Sequence, residues 1–193
     1  SYLSKYIDAL NEQPDRERDS TQALMVLAQI AEDKNDTAGA LRWLEKIEPD
    51  NQGSYLSAIL RRAMLLSKSK DPEAARALLR QAEVRNDDER AKLIVGEAQL
   101  LRDAGQLDEA LRLVADALES FKNNIDLLYE HAMLAERAKQ FDLMERELRQ
   151  LIQIAPDNQH AYNALGYSLA DRNVRVQEGF ELISKANQLA PDD

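Results

Sequence analysis

Apolar residues recur along this chain at helical spacing, in segments separated by short polar turns. From Ala91 to Asp103 they fall at Leu93, Ile94, Ala98 and Leu101, which gathers them on one side of a helix. Ala104-Gly105 interrupts the pattern, and Leu107 to Phe121 resumes it with Ala110, Leu111, Val114, Ala117 and Leu118. Asp71-Pro72 predicts a helix start, with Asp as N-cap and Pro at the first helical position, where its missing N–H has no intrahelical partner to lose. Ala155-Pro156-Asp157 and Ala190-Pro191-Asp192 predict helix ends, because a residue before Pro is pushed out of the αR region.

The segments repeat in pairs. One phrase, a turn leading into a second helix, reads Asn35-Asp36-Thr37-Ala38-Gly39-Ala40-Leu41, then Lys70-Asp71-Pro72-Glu73-Ala74-Ala75-Arg76, then Gly105-Gln106-Leu107-Asp108-Glu109-Ala110-Leu111. Its small residues Ala40, Ala75 and Ala110 are 35 apart, and the series continues at Met144 and Gly179; Pro156 and Pro191 are also 35 apart. A single helix pair cannot bury its apolar stripe, whereas stacked pairs can, so the period predicts an all-α stack of about 11 helices. The expected units are 21–54, 56–89, 91–124, 125–158 and 159–193. Residues 1–14 are expected to form a leading half repeat, a second helix with Tyr6 and Ala9 inward and Pro14 closing it. Both ends read as cut from a longer single array, and Ser1 in place of Met reads as a processed start.

Composition narrows the class. Hydrophobic residues make up 44% and the formal charge is −10, so the chain has enough apolar surface for a core and the wrong sign for phosphate. That balance argues against nucleic acid as a partner. Zero Cys removes thiol chemistry, and no apolar run is long enough to span a membrane.

The last unit is the most specific. Tyr162-Asn163-Ala164-Leu165-Gly166-Tyr167-Ser168-Leu169, closed by Pro191, resembles a tetratricopeptide repeat: Tyr162 stands where that family has Trp, and Leu165-Gly166 match its Leu-Gly. Leu169 replaces the usual Tyr, and Gly179 the usual Ala, a change expected to loosen that turn. Asp171-Arg172-Asn173-Val174-Arg175 carries an extra residue beyond the strict period. The other units keep Ala28, Ala63, Ala98 and Ala132 at the Gly position. The resemblance implies a right-handed superhelical solenoid of antiparallel helix pairs and a non-enzymatic scaffold that binds a polypeptide segment in its concave groove. The stretch from Ala161 to Asp193 is similar to late repeats of large tetratricopeptide proteins of Gram-negative bacteria. Many of those are outer-membrane lipoproteins facing the periplasm, and they include an adaptor that recruits a carboxyl-terminal processing protease. This likeness implies a periplasmic or outer-membrane-associated adaptor for a protease or assembly complex, with the cytoplasm as the alternative compartment.

In that family the second, fifth, ninth and twelfth positions of each unit point into the groove. The resemblance therefore nominates Met25 and Gln29, Leu60 and Met64, Lys92, Val95, Gln99 and Arg102, Tyr129 and Met133, and Asn163 and Tyr167 as partner-binding residues. Met adapts to varied shapes, and Tyr offers area with a polar tip. The Lys and Asn clamp of repeats that grip acidic chaperone tails is missing, since its places hold Met25 and Gln29, Leu60 and Met64, Val95 and Gln99. Arg61, Arg62, Lys68, Lys92 and Arg102 nevertheless form a basic centre flanked by Glu32, Asp33, Asp126, Glu130 and Glu136, which would suit a partner with a central negative stretch.

No Gly-rich phosphate loop, nucleophile elbow or His-Glu-x-x-His pair occurs, so no catalytic residue, cofactor or metal is expected. His131 falls where the repeat packs a Leu and is expected in the core; His160 is expected to be solvated. Asp87-Asp88-Glu89, Asp116, Glu119, Glu145, Glu147 and Asp192-Asp193 read as solvated helix faces and ends. Two rival classes remain. An RNA-binding helical repeat shares the spacing but not the charge. Self-assembly as a homodimer would use array ends exposed at Tyr2, Leu3 and Tyr6 or at Leu182 and Leu189.

Overall fold

The computed structural model describes residues 17–49, 54–69 and 71–190. These form α1 (Glu17–Asp33), α2 (Thr37–Glu45), α3 (Ser54–Lys68), α4 (Pro72–Gln81), α5 (Asp87–Asp103), α6 (Leu107–Ser120), α7 (Ile125–Arg137), α8 (Phe141–Ile154), α9 (Gln159–Asp171) and α10 (Val176–Leu189). No strand occurs among the described residues. The expected half repeat at 1–14 and the expected stop at Pro191 lie outside them. The chain divides into two compact units, Ser1–Glu89 and Arg90–Asp193. In the first, Leu24, Leu27, Ala28, Ala40, Leu44, Ile47, Ala58 and Leu65 share one core. In the second, a larger core runs from Ala91 through Leu169.

In four of the pairs the turn reverses the chain within a few residues, and it does so with a left-handed residue. Asn35, Gly105, Lys139 and Asn173 have φ of 57°, 79°, 59° and 53°. Each lets the next amide reach back to the helix: Asp36 N donates to the Ala31 carbonyl (2.8 Å), Gln106 to Leu101 (2.9 Å), Gln140 to Ala135 (2.8 Å) and Val174 to Leu169 (2.9 Å). Carbonyls left open by the helix end are thereby satisfied. Asn and Gly suit this conformation; Lys139, which is exposed, does not. Lys139→Gly is accordingly expected to raise stability by about 0.5–1 kcal/mol, the relief of left-handed strain less the extra freedom of unfolded Gly. Urea denaturation checks it, and a lowered midpoint would contradict the reading. Side chains cap two second helices, where Asp36 accepts from Gly39 N (2.8 Å) and Asp71 from Ala74 N (3.1 Å), and two first helices, where Asn124 accepts from Leu127 N (3.0 Å) and Asn158 from Ala161 N (3.1 Å).

Small residues set how closely paired helices approach. Ala28 and Ala40, Ala63 and Ala75, Ala98 and Ala110, and Ala132 with Met144 are all buried at equivalent places in their pairs. In the last pair both are Gly. A Cβ on Gly166 would sit 2.8 Å from the Gly179 carbonyl oxygen, and one on Gly179 would sit 2.9 Å from the Gly166 oxygen. Gly179 therefore does not loosen the pair, as its replacement of Ala suggested; it allows the two backbones to touch. The extra residue before α10 places Arg175 at φ 49°, ψ 52° in the left-handed region. Ion pairs hold it there. Arg175 meets Glu145 and Glu178 (3.6 Å), and Arg149 meets Glu145 (2.9 Å) and Glu178 (2.5 Å), a neutral quartet joining α8 to α10. The Arg175 hydrogen bond, ahead of the other contacts, holds the Glu145 carboxyl below its usual pKa.

Candidate functional site

Within the second unit, α7 and α9 present side chains to a common face. Tyr129 and Met133 stand half-buried on α7, and His160, Asn163 and Tyr167 are exposed on α9. The Tyr129 ring meets His160 edge-on, with centroids 6.4 Å apart and planes at 62°. Burial, then the carboxylates of Glu136 and Glu130, push the Tyr129 phenol above its usual pKa, so it stays a neutral donor. Tyr167 is 59% exposed, a large apolar area to leave in water. Neither Asn163 nor Tyr167 makes a side-chain hydrogen bond among the described residues. Between α9 and α10 lies a cleft of about 240 Å³, which Asn163 and Tyr167 line together with Gln159, His160 and Asn187.

In each unit, polar contacts bridge one pair of neighbouring first helices. In the second unit Glu130 of α7 accepts from Gln99 (3.3 Å) and Arg102 (3.3 Å) of α5. In the first unit Arg61 of α3 donates to Glu32 (2.5 Å) and to Gln29 (2.5 Å) of α1. Arg61 and Glu130 each stand two residues before the buried Ala of their helix, Ala63 and Ala132, so this is one contact made twice with its charges exchanged. Glu130 is 5% exposed, and burial holds its carboxyl above the ordinary range against the lowering pull of Gln99 and Arg102. At the equivalent places between α7 and α9 stand Met133, Glu136 and Ala164, and Met133 and Ala164 pack on the core instead. That step has an apolar floor.

No family model matches the chain. It is 38% identical over 167 residues, 86% of its length, to a TPR repeat-containing protein of Pseudomonas aeruginosa, of which it spans 28%. The crystal structure of MamA superposes with a TM-score of 0.58 at 17% identity, covering 86% of this chain and 95% of that one. YrrB, described as a TPR protein with an unusual peptide-binding site, superposes with a TM-score of 0.54 at 17% identity, covering 100% of this chain and 94% of that one. The chain has the tetratricopeptide-repeat fold.

In a tetratricopeptide frame the twelve nominated residues divide by what the chain already asks of them. None is buried. Gln29, Gln99 and Arg102 make the polar bridges between repeats. Met25, Val95, Tyr129 and Met133 are half-buried against their unit's core. Leu60 is half-buried, Lys92 is exposed, and Met64 is 53% exposed. Asn163 and Tyr167 project furthest from any intramolecular duty. The basic centre is reduced by the chain itself: Arg61 pairs with Glu32, Arg62 with Glu45 (3.2 Å) and Arg102 with Glu130 and Asp103 (3.2 Å), because each has a carboxylate within reach. Those guanidinium charges are matched before any acidic partner arrives.

Three carboxylates expected on solvated faces are placed otherwise: Glu89 and Glu145 are half-buried in ion pairs, with Arg85 and with Arg149 and Arg175, and Glu147 is the third. Glu147 is not on a solvated face; it is 7% exposed and both its oxygens lie 2.8 Å from Nδ1 of His131, itself 6% exposed. The signal was present in the repeat. Glu147 stands three residues after Met144, where the other pairs carry Trp43, Leu78, Leu113 and Leu182. His160 is exposed and Asp116 and Glu119 are solvated on α6, as expected. Asn187 lines the cleft from a second helix, whereas the groove positions that the resemblance implies all lie on first helices. The apolar end of the second unit also differs: Leu182 and Leu189 are half-buried, whereas Val176 and Phe180 of α10 are 46% and 70% exposed. Tyr2, Leu3 and Tyr6 lie outside the described residues. Among the described residues no group of three His, Cys, Asp or Glu could hold a metal ion, and no helix is long and apolar enough to cross a membrane.

Proposed function

We propose that this chain holds an extended polypeptide segment against its first-helix face, without catalysis, as a bacterial envelope adaptor for a protease or assembly complex. The observation that carries the reading is the step from α7 to α9, where Tyr129, Met133, Asn163 and Tyr167 line one face and two of the three positions that bridge the other steps are the apolar Met133 and Ala164. Aromatic and Met side chains supply contact area and adaptability, and an open Asn amide matches a main-chain peptide group, which is how extended segments are recognised. YrrB, of the same fold, is described as having a peptide-binding site, which supports a peptide as occupant. The envelope role rests on the likeness of Ala161–Asp193 to repeats of Gram-negative envelope proteins.

Asn163→Ala combined with Tyr167→Ala is expected to weaken partner capture by about 30-fold or more, since removal of one central aromatic anchor typically costs at least about 2 kcal/mol. Both residues are exposed, so helical circular dichroism should not change. The measurement is a crosslinking pull-down from Gram-negative envelope extract, quantified by mass spectrometry against Asp116→Ala on α6 as control. Equal capture by the double variant and the control would overturn the groove reading.

A further inference from the structure

We propose that the α7–α9 step holds one half of an inter-repeat ion pair, and that an arginine side chain of the bound segment supplies the other half at Glu136. This rests on the scaffold reading and deepens it by stating the chemistry of one anchor. The chain itself shows the complete arrangement. In the first unit Glu32 stands four residues after the buried Ala28 of α1, and Arg61 stands two before the buried Ala63 of α3. Arg61 Nε donates to Glu32 (2.5 Å) and a terminal nitrogen donates to Gln29 (2.5 Å), so one guanidinium ties the two helices together. Between α5 and α7 the same two places hold Arg102 and Glu130, 3.3 Å apart, with the charges exchanged.

At the α7–α9 step only the acceptor is kept. Glu136 stands four residues after Ala132, as Glu32 does after Ala28, but the place of Arg61 is taken on α9 by Ala164. Ala164 ends in a methyl group, so no donor of this chain reaches across from that place. Among the described residues the half-buried Glu136 side chain makes no hydrogen bond and no ion pair, and Arg102 is already committed to Glu130 and Asp103. Glu136 follows Met133 by three residues and Tyr129 by seven, which puts all three on one side of α7. Burial first, and then the Glu136 carboxylate, hold the Tyr129 phenol above its usual pKa, which sets that carboxylate beside Tyr129. The methylene stem of an arginine can lie on Met133 and Ala164. Its planar fork matches a carboxylate with two parallel hydrogen bonds, a geometry that a lysine ammonium lacks.

The test is selection on the full chain from a library of random twelve-residue segments displayed between two fixed flanks. Selected segments are expected to share one position at which Arg is enriched well above Lys. A synthetic copy with both ends blocked should bind the full chain, and Glu136→Gln should weaken it about tenfold, the lower end for a hydrogen bond to a charged group. Asp126→Asn removes an exposed carboxylate of the same helix and should change binding little. Glu136→Arg should reject the segment and accept a copy in which the shared Arg is replaced by Glu, the exchange that the chain makes between Arg102 and Glu130. Rescue by the exchanged pair needs a folded chain, so a folding defect cannot imitate it. Equal binding by Glu136→Gln, or no rescue by the exchanged pair, would overturn the arginine subsite. If Tyr167→Ala still abolished binding in that case, the groove reading would stand without it. No enrichment over an unrelated helical protein would overturn both readings.

Discussion

Gly166→Val is expected to unfold the last helix pair while the rest of the second unit stays intact. A Cβ at this position would lie 2.8 Å from the Gly179 carbonyl oxygen, 2.8 Å from Ile183 Cγ1 and 3.0 Å from Ile183 N. Two of those three atoms are backbone, so no rotamer change can make room, and α9 and α10 would have to separate. Overpacking of a close contact typically costs about 1–3 kcal/mol, and the branched side chain with nowhere to turn belongs at or above the upper end. Gly166→Ala should cost less, about 1–2 kcal/mol, because Ala regains up to about 1 kcal/mol of helix propensity. Repeat arrays lose stability locally, so hydrogen exchange should accelerate across 159–189 and barely change across α5 and α6. If Gly166→Ala proves as stable as the parent, the two helices are not in backbone contact.

What could be read from residues alone divides along the range of the interactions. The helices, their turns and their caps were legible because each is decided within a few neighbours: Asp71-Pro72 starts α4, Gly105 takes the left-handed turn, and Ala155-Pro156 ends α8. The 35-residue period then placed Ala28, Ala63, Ala98 and Ala132 in the core, where they are buried. Contacts between repeats were not legible, since they join residues such as Glu32 and Arg61, or Gln99 and Glu130, that are 29 and 31 positions apart. Whether such residues meet depends on how one pair crosses the next, which helical periodicity does not encode. For this reason Gln29, Gln99 and Arg102 were nominated for a partner although they bridge repeats, and Asn187 was not nominated although it lines the cleft. The placement of Asn163 and Tyr167 was easier, because an exposed aromatic beside an open amide conflicts with every local reason for burying or pairing it.

These distinctions bear on where binding strength would come from. The bridges at Arg61 and Glu130 consume the polar groups of their steps, so those steps offer a partner little beyond their half-buried apolar rims. At the α7–α9 step two of the equivalent positions are the apolar Met133 and Ala164, and the cleft beside it is lined by Asn163 and Asn187. Truncations at Tyr129 and Tyr167 should therefore outweigh those at Gln29 and Gln99, as anchors outweigh the residues around them.

His131→Leu alone is expected to destabilise the second unit by about 3–5 kcal/mol, and His131→Leu with Glu147→Leu to restore the parent stability or exceed it by about 1–4 kcal/mol. The single change leaves the Glu147 carboxylate, 7% exposed between α7 and α8, without the imidazole 2.8 Å away that makes its burial tolerable. The double change installs what the architecture uses elsewhere: Leu27 and Leu165 at the place of His131, and Leu78, Leu113 and Leu182 at the place of Glu147. A double-mutant cycle in urea, with circular dichroism as the probe, gives the coupling directly. If the double variant is no better than the single, the pair is a net source of stability and its removal cannot be repaired by packing. If the double is more stable, the pair needs another reason to exist, and the repeat provides one. Chemically similar helix pairs can stack in the wrong register, and a polar pair that is satisfied only when α7 meets α8 penalises each wrong match by one buried, unpaired group. The double variant should then show its loss in refolding, as a larger misassembled fraction, while its equilibrium stability rises.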